Sequence, residues 1–155
     1  MTQYWLMKSE PSEYSIDDLQ REGTTHWDGV RNYQARNFMR DVMQVGDRVL
    51  FYHSNTKPPG VAGLATVCRT GYPDFTAWDT ADKHYDPKSD PESPTWFMVD
   101  IEFAEKFSHH VSLAELKAQP ELSGMKVVQR GVRLSVQPVE ADHFELVCAM
   151  GRSPE

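Results

Sequence analysis

A chain of 155 residues with a formal charge of −7 is sized for one domain that buries roughly 68 to 70% of its unfolded surface. Its acidity argues against a general duplex-coating protein, because such binding is supplied largely by counterion release at Lys and Arg. No apolar run approaches the ~20 residues of a membrane span, MTQYWLMKSE lacks a signal-peptide pattern, and Cys68 and Cys148 lie in apolar runs that read as reduced core thiols. A soluble, untargeted protein is expected, cytoplasmic or, in a eukaryote, nuclear.

In chain order, Tyr4 to Lys8 (YWLMK) reads as an internal strand, kept extended towards Pro11. Ser15 then caps a helix, with Asp18 completing a capping box, Ile16 and Leu19 as the buried pair and Gly23 as the stop. Trp27 to Arg40 (WDGVRNYQARNFMR) follows, the densest recognition chemistry in the chain. Asn32 is placed as an N-cap, and Ala35, Phe38, Met39 and Val42 recur at the spacing of one buried helical stripe. Asn32, Arg36 and Arg40 are four apart, so their side chains rise in a row on the polar face.

Asp47 to Ser54 (DRVLFYHS) is apolar on both parities, as in a strand covered on both faces. After the turn residues NTKPPG, Val61 to Thr70 returns as the second strand of a hairpin, and Gly63 within it marks a bulge or a close backbone approach. Gly71 to Pro94 carries four prolines and six acidic residues without periodicity, and reads as a long loop. Trp96 to Phe103 alternates, with Phe97, Val99, Ile101 and Phe103 on one face, which takes Trp96 off the core side. Ser112 and Glu115 box the helix Leu113 to Gln119, stopped by Pro120. Arg133 to Val136 is expected as a strand, and Glu140 to Met150 as a closing helix ended by Gly151. Short strands, hairpins and short helices point to a single α+β domain over residues 1–155, built on a small curled mixed sheet.

Residues 1–60 hold seven Lys/Arg against eight Asp/Glu, and residues 61–110 hold four against nine. An anionic ligand is therefore expected near the N-terminal part or Arg130 and Arg133. There is no G-x-G-x-x-G, P-loop, paired-Cys motif or H-E-x-x-H, and the acidic loop lacks calcium-loop spacing, so neither a cofactor nor a metal is expected. Lys8, Ser9 and Glu10 form the tightest cluster with covalent potential, yet strand alternation puts Lys8 and Glu10 on one side and Ser9 on the other. His53, at a strand exit, reads as a hydrogen-bonded structural residue ahead of an acid/base catalyst. Trp27, Trp78, Tyr85 and Trp96 lie outside core stripes, where flat rings stack on nucleobases.

The segments WLMKSEP at Trp5 to Pro11, WDGVRNYQARN at Trp27 to Asn37, GDRVLFYHSN at Gly46 to Asn55, YDPKS at Tyr85 to Ser89, TWFMVDI at Thr95 to Ile101 and RLSVQPV at Arg133 to Val139 together resemble the EVE domain family. That family shares the PUA-like fold with YTH and ASCH domains. The resemblance implies a curled mixed β-sheet or pseudo-barrel flanked by short helices, with a pocket for a modified base. It implies a monomeric, non-catalytic reader of modified cytosine in DNA, or of a modified base in RNA. In the similar YTH pattern a strand-end KSN segment and a downstream Trp line the pocket, places taken here by Lys8 to Glu10 and Trp27, with Trp96 near a second cage position. Glu10 stands where that pattern has Asn; an ionised carboxylate accepts from an exocyclic amine and donates nothing, which suits cytosine. The expected ligand-binding set is Ser9, Glu10, Trp27, Asn32, Ser54, Tyr85 and Trp96, with Arg31, Arg36 and Arg40 on phosphate, although Arg31 has nearby acids with which to brace the turn. The alternative is a small ASCH-like amidohydrolase acting on acyl-modified nucleosides through Lys8, Ser9 and Glu10.

Overall fold

The computed structural model describes residues 2–132 and 134–153. Six strands form one mixed sheet: β1 (Tyr4–Ser9), β2 (Thr24–His26), β3 (Arg48–His53), β4 (Gly60–Pro73), β5 (Phe97–Ser112) and β6 (Val136–Val139), in the order β2-β5-β4-β3-β1-β6. β1 and β3 run parallel with Tyr4 opposite Arg48, and the other neighbours are antiparallel. β1 is internal, as expected.

Each face of the sheet carries its own core, which explains the double apolar parity of β3. Val49 and Phe51 join Trp5 and Met7 of β1 on one face, under α1 (Ile16–Glu22) and α2 (Tyr33–Asn37). Leu50 and Tyr52 join Leu6 on the other, under α3 (Leu113–Ala118) and α4 (Ala141–Gly151). Both capping boxes form, at Ser15/Asp18 and Ser112/Glu115.

β4 and β5 are long and strongly bulged, with register shifts at four places, and bulges bend a strand and raise its twist. Gly63 sits at one of them, where a Cβ would come within 2.3 Å of the Glu105 carbonyl oxygen. Between Leu64 and Ala65 the partner on β5 jumps from Glu105 to Phe103, leaving Ala104 unpaired. One extra residue inverts parity. Val99 and Ile101 consequently serve the first core, while Phe107 and Val111 serve the second. The resulting sheet is curled but open: β2 and β6 are its edges, so the pseudo-barrel expectation is met only as far as curvature.

Four expectations need correction. The strand expected at Arg133 to Val136 lies at Val136–Val139 and contains Pro138, which an edge strand tolerates because no ladder partner requires its N–H; Arg133 itself is outside the described residues. β5 continues past Phe103 to Ser112, because its alternation is broken by the bulge and not by a turn. The loop expected from Gly71 begins after Pro73 and includes a 3₁₀ turn, Phe75–Trp78, capped by Asp74. Finally, α2 passes into a π turn at Phe38–Val42. That wider turn delays the buried stripe by a residue: Val42 is 37% exposed and Met43 is buried in its place.

Candidate modified-base cleft

A cleft of about 890 Å³ opens beside the C-terminal end of β1. Its walls come mainly from three chain segments, with Ser135 added from a fourth: Lys8 to Glu10 with Glu13 and Tyr14, then Thr25 to Arg31 from the end of β2 onward, then Ala81 to His84 of the long loop. The expected site residues Ser9, Glu10, Trp27 and Arg31 share this cleft. Asn32, Ser54, Tyr85, Trp96, Arg36 and Arg40 are not among its lining residues.

Trp27 follows the edge strand β2, its N–H continuing the pairing with β5 by donating to the Val99 carbonyl (2.8 Å). Its indole is only 8% exposed and meets Phe51 edge to face, ring centroids 5.6 Å apart. Core packing and cleft wall are thus combined in one side chain. Asp28-Gly29 makes the turn: Gly29 has φ +79°, and a Cβ there would lie 2.4 Å from His84 Nε2. Only a residue without a side chain lets the loop close this tightly.

Arg31 is fastened inward. It donates to Asp74 Oδ2 (3.0 Å) and twice to the His84 carbonyl (3.2 and 2.6 Å), while fully buried Asp74 also accepts from Gly29 N–H (2.8 Å) and the Thr76 hydroxyl (2.5 Å). Burial pushes the Asp74 carboxyl up, but these donors outweigh it and hold it below the usual carboxylate range. Arg31, expected on phosphate, therefore braces the turn that carries Trp27.

The opposite wall is equally tied. Ser9 Oγ donates to the Tyr14 carbonyl (2.6 Å), and Glu10 Oε1 accepts from Asn55 Nδ2 (3.2 Å). His53 Nε2 accepts the Ile16 N–H (3.1 Å), satisfying an orphan donor of the first turn of α1. Burial and neighbouring His110 push the His53 pKa down. Lys8 Nζ lies 5.8 Å from the Tyr52 ring centroid, with desolvation lowering its pKa. Lys8 thus joins the Tyr52 side of the sheet while Ser9 Oγ is engaged with Tyr14, and no Ser/Lys hydrogen bond forms between them. Lys83 Nζ pairs with Glu13 Oε2 (2.5 Å), a contact that joins the two walls and holds Glu13 below the usual carboxylate range.

Charge in the cleft is mixed, Glu10, Glu13, Asp28 and Asp82 lying beside Arg31 and Lys83. Buried His84 Nδ1 lies 3.3 Å from Asp82 Oδ1, poorly aligned for a hydrogen bond, and 3.7 Å from Asp28 Oδ2. Sequence reasoning missed this third wall. Residues 71–94 were expected only as a long loop, and Asp28-Gly29 is a turn signal, but nothing in the spacing paired them.

The remaining candidates have other settings. Asn32 caps α2, accepting from Ala35 N–H (3.0 Å). Ser54 N–H donates to the Ser9 carbonyl (2.9 Å). Trp96 is buried, donating from Nε1 to Asp86 Oδ2 (2.6 Å), and Trp78 donates to Ser89 Oγ (3.3 Å), so both indoles brace the long loop. Tyr85 is half exposed. Arg36 and Arg40 lie on the exposed face of the helix, Arg40 paired with Asp41 (2.8 Å).

Comparison with known proteins fits this arrangement. Human thymocyte nuclear protein 1 is 41% identical over 169 residues, spanning 97% of this chain and 74% of that protein. A hypothetical protein from Leishmania major has the same architecture (TM-score 0.93, 52% identity, covering 97% of this chain and 95% of that one). So does human THYN1 protein, solved in complex with 5-methylcytosine containing DNA (TM-score 0.91, 40% identity, 99% and 100% covered). A YTH domain from Zygosaccharomyces rouxii shares the fold at 12% identity (TM-score 0.58, 99% and 87% covered). The EVE domain profile matches residues 3–150, and with identity sustained along nearly its whole length the chain belongs to the EVE domain family.

Proposed function

We propose that this protein reads modified cytosine in DNA by holding the base in the cleft between the end of β1 and the Trp27 turn, without chemistry on it. The observation that carries this reading is the meeting of Trp27, Glu10 and Ser9 in one cleft, in a chain 40% identical throughout to a human protein solved with 5-methylcytosine containing DNA. The cleft volume lies in the range of small-ligand sites, on the order of 300 to 1,000 Å³. The cleft carries more carboxylates than cations, which favours a neutral base over a phosphate inside it; the backbone then stays outside, with Arg36 and Arg40, off the cleft, as its phosphate contacts. Trp27 supplies the flat apolar wall. Glu10 accepts from the exocyclic amine, and Ser9 Oγ, whose proton is given to Tyr14, presents only acceptor lone pairs.

Thymine is the informative control, since it keeps the 5-methyl group of 5-methylcytosine and replaces the amine by a carbonyl. Titrating oligonucleotides that differ only in that base, wild type is expected to prefer 5-methylcytosine by about tenfold, because thymine sets a carbonyl against the Glu10 carboxylate, two acceptors with no proton between them. Glu10→Ala brings the two affinities close to parity. A preference unchanged in Glu10→Ala would remove Glu10 from base reading.

A further inference from the structure

Beside the cleft, Trp96, Tyr33 and Arg36 continue outward from Arg31 as a column of four side chains. The Trp96 ring is stacked with Tyr33 (centroids 5.0 Å apart, 26° between planes). Arg31 Cζ lies 5.3 Å from the Trp96 centroid, and Arg36 Cζ 4.9 Å from that of Tyr33. Arg31 lines the cleft, so the column runs from the cleft wall outward to Tyr33. Its inner members are buried or tied down. Tyr33, by contrast, is 61% exposed, although it is a large aromatic at the first position of α2, supported from beneath by an indole.

The charge beside it is also available. Arg36 donates to Asn37 Oδ1 and to the Thr95 carbonyl, all neutral acceptors, so none of these bonds offsets its charge. Arg40 reaches the same Asn37 oxygen (3.4 Å). An exposed ring on a rigid aromatic base, with a guanidinium next to it that is hydrogen-bonded only to neutral groups and has Asp41 as a neighbouring charge, matches the stacking platform and backbone contact used for unpaired nucleotides.

We propose that Tyr33 and Arg36 form a second subsite, which takes the nucleotide flanking the one in the cleft: its base on Tyr33, its phosphate on Arg36. This subsite deepens the reading of the cleft as a base pocket, and it predicts that affinity depends on the strand around the modified base as well as on the base. Trp96 acts as a positioning residue, holding Tyr33 flat.

The test compares two probes, 5-methyl-2′-deoxycytidine 5′-monophosphate and a single-stranded oligonucleotide with one central 5-methylcytosine, against wild type, Tyr33→Ala and Tyr33→Phe. Tyr33→Ala is expected to weaken oligonucleotide binding by roughly 5- to 150-fold, the range for loss of one stacked base, while leaving mononucleotide binding unchanged; Tyr33→Phe keeps the ring and behaves as wild type. Equal losses for both probes would place Tyr33 in service of the cleft and overturn the subsite, as would no loss for either. If wild type shows no preference for 5-methylcytosine over cytosine, the base-reading function fails. The subsite is then still decided by the unmodified oligonucleotide: weakening by Tyr33→Ala supports it, and unchanged affinity overturns it.

Discussion

The indole of Trp27 meets Phe51 edge-on at one side and the cleft at another, so one ring packs against the core and lines the cleft. The local grammar around it was legible: Asn32 caps a helix, Ala35 and Met39 are buried, and Arg31 finds an acid. The identity of that acid was not, because Asp74 lies 43 positions away and no periodicity links them. His53 was legible as structural, since a half-buried imidazole at a strand exit needs a partner, although the Ile16 N–H could not be named in advance. Its folded pKa is depressed, by burial first and by His110 next. The unfolded chain therefore binds the proton more readily, and the stabilisation is complete above the ordinary value of about 6.5 and is lost as pH falls through the lower folded value. Thermal midpoints are expected to drop between about pH 7 and pH 5. His53→Gln, whose amide oxygen can also accept from Ile16, flattens that drop; an undiminished drop in the variant would assign the proton elsewhere.

At the scale of elements, capping boxes, the β3–β4 hairpin and the Gly63 bulge follow from short-range rules and appear where those rules put them. Two of the departures share one cause, irregularity inserted into a regular period. The π turn at Phe38–Val42 shifts which residue is buried, and Ala104 inverts the parity of β5. β2, three residues of edge strand, is too short to stand out, yet it delivers Trp27 to the cleft. The turn after it depends on Gly29. Gly29→Ala meets both a positive φ and the His84 ring, a cost of about 1 to 2 kcal/mol from backbone conformation alone. Because His84 belongs to the third wall, affinity for a 5-methylcytosine oligonucleotide is expected to fall at temperatures where the variant is still fully folded. Circular dichroism melting beside a binding titration separates the two effects, and unchanged affinity in a folded variant would show that the wall does not contact the ligand.

For the whole molecule, the α+β class and its curled mixed sheet were legible from strands and helices interleaved without repeats. That the sheet is open, with a separate core on each face, depends on long-range register that a sequence pattern does not encode. The net charge of −7 becomes intelligible at this scale. A protein that grips one base in a pocket and touches few phosphates does not need a basic surface, and with contacts limited to Arg36 and Arg40 the slope of log affinity against log salt should be about −1 to −2. The decisive measurement is a titration of paired oligonucleotides, identical except for one 5-methylcytosine or cytosine, repeated across a series of salt concentrations. The modified strand is expected to bind more tightly at every concentration, with both affinities falling along that shallow slope and the gap between them constant. Equal affinities, or a gap that vanishes as salt rises, would contradict recognition of the base in the cleft.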